Sequence, residues 1–266
     1  MELIKYIILG LVQGLTEFLP ISSSGHLVLA QDLFGWSEQT DISFEIFVHL
    51  GSLCAVFIYF RNDILSLIKS LVFFRDSQYL NERKLCLWIC IATLVTGVIG
   101  FGFKSVIEGL FAYPLLVAIM LSVTGGIIYL SDKIKHSSVP LNAKKSVFIG
   151  LGQAVAIIPG LSRSGTTITC GLLAGLDRKT AASFSFLLSI PAILGANLSE
   201  LKSFTSLDST QIYFYLAGFV SAFISGYLVI SWLLKLIVRA KLRYFSFYCW
   251  AVSLFCIVFI YLRDFR

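Results

Sequence analysis

Charged side chains are scarce in this chain of 266 residues, where Asp, Glu, Lys and Arg together make up 14%. Soluble domains average about 25%. Hydrophobic residues make up 57% and the mean hydropathy is +0.87, so most of the surface is expected to face lipid rather than water. The net charge of +6 does not indicate a nucleic-acid partner, because the basic residues fall in short loops between apolar runs, as in membrane proteins.

Residues that form metal sites and disulfides are also few. The chain has three histidines and six cysteines, and every cysteine lies inside an apolar segment. Cys86 and Cys90 stand one helical turn apart, but no histidine or second cysteine pair completes a zinc set. We therefore interpret the cysteines as small apolar core residues. No small-residue cleavage pattern follows Met1–Lys5, so no removable signal peptide is expected.

Long apolar runs are abundant, and a helix needs about 17–25 such residues to cross a bilayer. Two apolar regions, 3–35 and 146–176, are interrupted by Ser- and Gly-rich breaks. Because their pieces are too short to cross, each region predicts a helical hairpin that enters the membrane and returns on the same side. The runs that qualify as six spans are 44–60, 85–103, 113–131, 181–198, 211–234 and 244–262.

The connecting loops differ in charge, and this difference orients the predicted spans. Loops rich in Lys and Arg are predicted to be cytoplasmic, and the poorer loops external. Six spans then require that the chain starts outside, that the first hairpin enters from outside and that the second enters from inside. The predicted cytoplasmic loops are 61–84, 132–145 and 235–243, and the external ones are 36–43, 104–112 and 199–210.

Short motifs recur at a single offset of 140 residues, which indicates an internal repeat. Within one membrane domain, 1–266, the halves 1–131 and 146–262 each hold one hairpin and three spans, and an odd number of spans inverts one half relative to the other. We therefore predict an all-α polytopic membrane protein with six transmembrane helices and two re-entrant hairpins in an inverted-topology repeat, whose hairpin tips meet near the midplane. The recurring motifs are Gly10–Gln13 with Gly150–Gln153, Ser22–Gly25 with Ser162–Gly165, and Ser43–Phe44 with Ser183–Phe184.

The second break, Pro159–Thr167, has the composition of an anion site. Its glycines let the backbone approach a ligand, its hydroxyls donate hydrogen bonds, and the following helix presents the N–H groups of its first turn. Arg163 adds a planar guanidinium that suits phosphate oxygens. An ionisable group at membrane depth is costly and therefore indicates function. The candidate diphosphate-binding residues are Gly160, Ser162, Arg163, Ser164, Gly165 and Thr167.

The first break brings together a carboxylate, three hydroxyls and an imidazole. Gln13 and Glu17 share one helix face, and with phosphate oxygens they are candidate ligands of a hard divalent cation, Mg²⁺ or Ca²⁺. Glu17 precedes the break and His26 follows it. A hydroxyl near an imidazole suits either a nucleophile with its base or a water with its acid. The hydroxyls belong to Ser22, Ser23 and Ser24.

A second imidazole and carboxylate, His49 and Glu45, lie one helical turn apart within the first predicted span. Two interpretations stay open for them. They line the same cavity, or they form a structural pair inside the helix bundle.

The chain resembles the undecaprenyl-diphosphate phosphatase family of the bacitracin-resistance type. Two long motifs carry the resemblance, Gln13–Leu27 and Pro159–Thr167, and Phe44–Ser52 and Ala181–Pro191 also read like the family, so it covers the whole chain. The family's first motif begins with Glu or Gln, and Gln13 removes one negative charge from any metal site here. The resemblance implies hydrolysis of undecaprenyl diphosphate to undecaprenyl phosphate and phosphate, which regenerates the lipid carrier for peptidoglycan and other envelope polymers.

The resemblance also implies a divalent-metal requirement, a place in the bacterial plasma membrane and an active site open to its outer face. It ties Glu17, Ser23, His26 and Arg163 to catalysis. The expected partners are a polyprenyl diphosphate lipid and the bilayer, without nucleic acid, and the sequence is compatible with a homodimer. The family's supporting positions are Gln13, Ser22, Ser162, Ser164 and Thr167.

Two rival classes compete with this interpretation. A transporter or flippase of polyprenyl phosphate lipids or other organic anions would share the inverted repeat and Arg163, but it has less use for Ser23 and His26. Phosphatidic-acid-phosphatase-type enzymes need a second catalytic histidine after a Ser-Arg pair, and no histidine follows His136. Hydrolysis is therefore favoured, while the spacing does not choose between a phosphoserine intermediate and direct attack by water.

Overall fold

The computed structural model describes residues 2–36, 42–134, 137–200, 204, 207–239 and 242–264, and their regular structure is helical throughout, as the sequence predicts. Residues 37–41 of the predicted external loop 36–43, and parts of the loops 132–145, 199–210 and 235–243, lie outside the described residues. The helices are α1 (Glu2–Thr16), α2 (Ser23–Leu33), α3 (Ile42–Tyr59), α4 (Arg61–Val72), a 3-10 turn (Ser77–Tyr79), α5 (Leu80–Gly102), α6 (Lys104–Leu110), α7 (Pro114–Ser131), α8 (Ala143–Val155), α9 (Arg163–Leu173), α10 (Arg178–Ser199), α11 (Ser209–Arg239) and α12 (Arg243–Asp264).

The structure confirms that the chain contains helices able to span a membrane, but the number of such helices is five or six. Within the described residues, α5, α7, α10, α11 and α12 are long and apolar enough to cross a bilayer. The predicted span 44–60 corresponds to α3, which passes the same test only together with α4, and the two helices meet at 80°. The chain therefore has five or six candidate spans. Their outward faces are apolar, as Leu94 and Val98 of α5 show with exposures of 69% and 66%.

The four helices that flank the two breaks are too short to cross. α1, α2, α8 and α9 have 15, 11, 13 and 11 residues, so they extend roughly 16–23 Å at 1.5 Å per residue. The hydrocarbon core is about 30 Å thick. α1 packs against α2 across the first break, and α8 packs against α9 across the second. These pairs occupy the two regions predicted as hairpins.

Close contacts between small residues hold the first helix of each pair against a span from the other half of the chain. A Cβ on Gly10 of α1 would lie 2.2 Å from the carbonyl oxygen of Gly218 in α11. A Cβ on Gly150 of α8 would lie 2.7 Å from that of Ala92 in α5. Only glycine permits such approaches, which are typical of packing between membrane helices. The two contacts position both breaks.

Candidate active site

The two breaks start their second helices in the same way. The Ser22 hydroxyl accepts a hydrogen bond from the Gly25 N–H at 3.2 Å, and the Ser162 hydroxyl accepts one from the Gly165 N–H at 3.0 Å. Each serine thereby satisfies one N–H group that a helix start leaves without a partner. The sequence match between Ser22–Gly25 and Ser162–Gly165 thus corresponds to the same cap hydrogen bond.

Two hydroxyls fasten the breaks in place. The Ser164 hydroxyl donates to the carbonyl oxygen of Leu19 at 3.0 Å and joins the second break to the first. The Thr124 hydroxyl of α7 donates to the Gly160 carbonyl at 2.8 Å and accepts from the Ser162 N–H at 2.9 Å. These bonds occupy backbone groups of the breaks that the helices cannot satisfy.

The Glu17 carboxylate is the centre of the site, and its residue is only 7% exposed. Its Oε1 forms an ion pair with the Arg163 guanidinium from the other break. Its Oε2 accepts hydrogen bonds from the Ser23 hydroxyl at 2.5 Å and from Gln13 Nε2 at 3.0 Å. His49 Nε2 lies 3.4 Å from the same oxygen. A buried carboxylate thus joins a serine hydroxyl to three nitrogen groups.

The Arg163 side chain is held from α10 as well. Its Nη1 donates to the carbonyl oxygen of Ser185 at 3.3 Å, and the Ser185 hydroxyl lies 2.7 Å from that of Thr167. The Thr167 hydroxyl donates in turn to the Arg163 carbonyl at 2.8 Å. The bond to Ser185 helps to orient the guanidinium, whose paired N–H groups suit phosphate oxygens.

The two histidines take different places. His49 lines the cavity with Glu45, which supports the first of the two interpretations left open by the sequence. Its Nδ1 lies 2.5 Å from the Glu45 carbonyl oxygen and its Nε2 faces Glu17. The ring is thereby held between the backbone of its own helix and the Glu17 carboxylate.

His26 faces away from the carboxylate. Its Nδ1 lies 2.7 Å from the Ser22 carbonyl oxygen, and its Nε2 lies 3.0 Å from the Tyr248 hydroxyl of α12. The two rings stack with centroids 5.6 Å apart. His26 is absent from the residues that line the cavity. Its predicted catalytic role stays a prediction, and Tyr248 is a neighbour that the sequence did not indicate.

A cavity of about 360 Å³ extends from this cluster. Its walls are mainly apolar, with Ile46, Phe101, Ile107 and Phe111 among them. Gly160, Gly165 and Thr167 do not line it and instead support the break, while Gln13 lies behind Glu17. The predicted site residues that do line it are Glu17, Ser22, Ser23, Ser24, Ser162, Arg163 and Ser164.

The far end of the cavity carries a second charged group. Lys104 and Glu108 of α6 line it there, and their side chains are 38% and 37% exposed. Lys104 Nζ lies 2.9 Å from Glu200, just beyond α10, and 3.5 Å from Glu108. The hydrogen bond to Glu200 raises the pKa of Lys104 above its ordinary value, although burial acts in the opposite direction. This half-exposed end is the mouth of the cavity.

The side chains around Glu17 fit the predicted divalent cation only in part. Among the described residues, no three His, Cys, Asp or Glu side chains converge as metal ligands. Gln13 directs its amide N–H, not its oxygen, at Glu17. The side chains do not form a complete metal site by themselves. They fit at most a cation that takes most of its ligands from substrate phosphate oxygens, which is common for Mg²⁺.

Some residues of the site carry little sequence signal. Thr124 and Ser185 are single hydroxyls within apolar helices, where such residues usually bond the preceding turn of their own helix. Their partners belong to other helices, at the second break. A hydroxyl beside glycine pairs, as in Thr124-Gly125-Gly126, is a weak signal of close helix packing.

The helical fold and this cluster define a class, namely a multi-pass membrane protein in which a carboxylate, a guanidinium and a serine hydroxyl meet beside a cavity. The family described as bacitracin resistance protein BacA matches residues 6–255, and the chain belongs to this family.

Relatives match over nearly their whole length. A protein of Methanobrevibacter smithii named undecaprenyl-diphosphatase is 47% identical over 96% of this chain and 96% of its own. One of Shouchella clausii named undecaprenyl-diphosphatase 1 is 42% identical over 97% of each, and one of Methanosphaera stadtmanae is 40% identical over 97% and 98%.

Proposed function

We propose that the chain removes the terminal phosphate of undecaprenyl diphosphate and yields undecaprenyl phosphate and inorganic phosphate. One observation carries the proposal: in a buried cavity the Glu17 carboxylate accepts a hydrogen bond from Ser23 and pairs with Arg163. Family membership and the names of the relatives support it. Recycling of the lipid carrier for cell-wall synthesis, and resistance to bacitracin, belong to the same proposal.

Charge places the diphosphate at the polar end of the cavity. Arg163 offers a guanidinium there, and α2 and α9 both begin beside it with the N–H groups of their first turns. The terminal phosphate replaces Glu17 as one partner of the guanidinium, which then stabilises the negative charge that develops on the phosphoryl oxygens. The apolar walls suit the first isoprene units, and the rest of the tail leaves sideways into lipid.

The Ser23 hydroxyl is placed to lose its proton. Glu17 Oε2 lies 2.5 Å from Ser23 Oγ, so the carboxylate takes the proton as Oγ bonds to the terminal phosphorus. The bridging oxygen leaves with undecaprenyl phosphate, and water then releases phosphate from the serine. The same two side chains could instead orient a water that attacks directly, and the proposal keeps both routes. His49, beside the same carboxylate oxygen, stabilises its negative charge between turnovers.

A divalent cation stays part of the proposal. Glu17 is the side chain that would hold it together with phosphate oxygens, while Gln13 directs its N–H groups at Glu17 and Ser52 and its oxygen is buried without a partner. When bound, such a cation neutralises charge on the phosphates.

We further propose the finer topology: six spans and two re-entrant hairpins in an inverted repeat, in a bacterial plasma membrane, with the mouth on the outer side. The equivalent helix caps at Ser22 and Ser162 and the equivalent close contacts at Gly10 and Gly150 support the repeat. The Lys- and Arg-rich loops support the orientation. Labelling of a cysteine placed at Lys104 by a membrane-impermeant reagent in intact cells tests it, because an inward mouth would leave this thiol unlabelled.

Phosphate release from a C55 diphosphate by the purified protein in detergent tests the function. We expect turnover in the wild type, loss on addition of a chelator, and a fall of about 10³-fold or more in Arg163→Ala, the loss typical of a fixed cation at a phosphoryl group. Substantial turnover in Arg163→Ala at equal expression would refute the phosphate-binding role. A protein that binds the lipid but frees no phosphate would instead favour a transporter.

A further inference from the structure

One wall of the cavity carries buried polar atoms without partners. Among the described residues, Gln153 Oε1, Asn197 Oδ1 and Thr93 Oγ1 are buried and accept or donate no hydrogen bond. All three residues line the cavity. Gln153 is 1% exposed and Asn197 is 6% exposed. A buried polar atom without a partner is destabilising, so each of these needs an explanation.

The neighbouring bonds determine which atom of each amide lacks a partner. The Thr96 hydroxyl donates to the backbone carbonyl of Ala92 at 2.9 Å, so it can only accept from Gln153, whose Nε2 lies 3.1 Å away. Asn197 Nδ2 donates to the Ile193 carbonyl at 3.0 Å. The nitrogens of both amides are therefore engaged, and their oxygens, on two residues that line the cavity, are left without a donor.

These acceptors restrict the ligand to a hydrogen-bond donor. A fully ionised diphosphate has only acceptor oxygens, and a polyprenyl chain has neither donors nor acceptors. Neither part of the proposed substrate can satisfy Gln153 and Asn197. Water carries two donors and is the usual partner of buried acceptors in roomy polar sites.

The same wall leaves space that leads towards the mouth. On α5, Thr93, Gly97 and Gly100 follow at helical spacing and share one face, and Lys104 begins α6 just beyond this helix. Gly97, like Gly195 on α10, has no atom within 4 Å of the position a Cβ would occupy. These two glycines therefore leave open space rather than permit close packing.

We propose that Thr93, Gln153 and Asn197 hold a file of ordered water that connects the mouth at Lys104 to the Glu17–Ser23–Arg163 cluster and supplies the water that hydrolysis consumes. This inference rests on the proposed function. Each turnover uses one water: its oxygen bonds to the terminal phosphorus, directly or after Ser23, and the bond from phosphorus to the displaced oxygen breaks. One proton of the water stays on inorganic phosphate and the other is released.

Thiol labelling tests the water file without a measurement of enzyme activity. Methanethiosulfonate reagents react with the thiolate, which needs water, so Gly97→Cys and Gly195→Cys should be modified in the full-length protein, with the modified residue located by mass spectrometry. Gly126→Cys is the matched control, because Gly126 also has open space but does not line the cavity. Modification of Gly97→Cys no faster than of Gly126→Cys would overturn the proposal.

Kinetics with two substrates separates water from lipid as the occupant. Gly97→Leu should lower kcat about tenfold both for a C55 diphosphate and for methyl diphosphate, which has no prenyl chain, with little change in KM, because it displaces ordered water. Gln153→Leu and Asn197→Leu should slow both substrates similarly, whereas Gly126→Leu should not. A defect confined to the C55 substrate would mean that the passage holds the prenyl chain and would overturn the water file. An inactive wild type would refute the proposed function and leave the labelling result to stand by itself.

Discussion

The two breaks share a scaffold but not a chemistry. Both begin their second helix with a serine that accepts from a glycine N–H three residues on. The backbone of Ser162 is extended, with φ −74° and ψ 116°, whereas Ser22 has φ 67° and ψ 95°, a region that residues other than glycine seldom adopt. The first break carries the carboxylate and the hydroxyl, and the second carries the guanidinium. Strain thus coincides with the break that we propose to react, as it often does at functional sites.

The breaks also differ in how they are fastened. Thr124 ties the second break to α7 with two hydrogen bonds. The first break is tied to the second through Ser164 and Leu19 and through the Glu17–Arg163 pair. The difference suggests that the second break is a fixed anion clamp against which the reacting break is positioned.

The largest effect is expected from the reacting hydroxyl. If Ser23 forms a phosphoserine, Ser23→Ala should lower kcat about 10³-fold or more, since removal of the nucleophile costs at least that much in enzymes that use a serine nucleophile. Ser24→Ala is the matched control, because Ser24 lines the same cavity but bonds Ser22 instead of Glu17. A Ser23→Ala loss no larger than that of Ser24→Ala would exclude the serine route and leave direct attack by water.

The next largest effect is expected at the carboxylate. Glu17→Gln keeps an oxygen that accepts from Ser23 but removes the group that takes its proton, so kcat should fall about 10²–10³-fold. The neutral amide also removes the charge that balances Arg163. Steady-state phosphate release measures the loss, and a rate within a few-fold of the wild type would show that Glu17 is not the base.

A smaller effect is expected where α7 holds the second break. Thr124→Val keeps the side-chain shape but leaves the Ser162 N–H and the Gly160 carbonyl without their partner, so we expect about 1–3 kcal/mol of destabilisation. The midpoint of thermal unfolding in detergent reports this change. An unchanged midpoint would mean that the fixed-clamp description of this break is wrong.

The smallest effect separates the two caps. Glycine at an N-cap costs only a few tenths of a kcal/mol, but at Ser22 it also relieves the positive φ. Ser22→Gly should therefore be more stable than Ser162→Gly by about 1 kcal/mol. The midpoints of thermal unfolding of the two variants measure this difference in stability, and equal midpoints would contradict a strained Ser22.

Much of the site followed from where the sequence interrupts its apolar runs. Glu17, Ser23 and Arg163 were candidates because ionisable and hydroxyl groups beside two breaks at membrane depth are costly, and the structure brings these three into contact. The same argument favoured His26 as catalytic and left the role of His49 open. The direction in which a ring points depends on what packs beside it, and here His26 meets Tyr248 of α12 while His49 meets Glu17 of the first break.

The sequence by itself determined that the surface faces lipid, that the fold is helical, where five of the six predicted spans lie and where the two breaks fall. Apolar length and local turn chemistry act within short stretches of chain, so a sequence pattern reveals them. The tertiary structure decided which groups meet. The contact of Glu17 with Arg163 spans 146 positions, and that of His26 with Tyr248 spans 222. Such pairs depend on close helix packing at residues like Gly10 and Gly150, and no local pattern encodes which side chains that packing brings together.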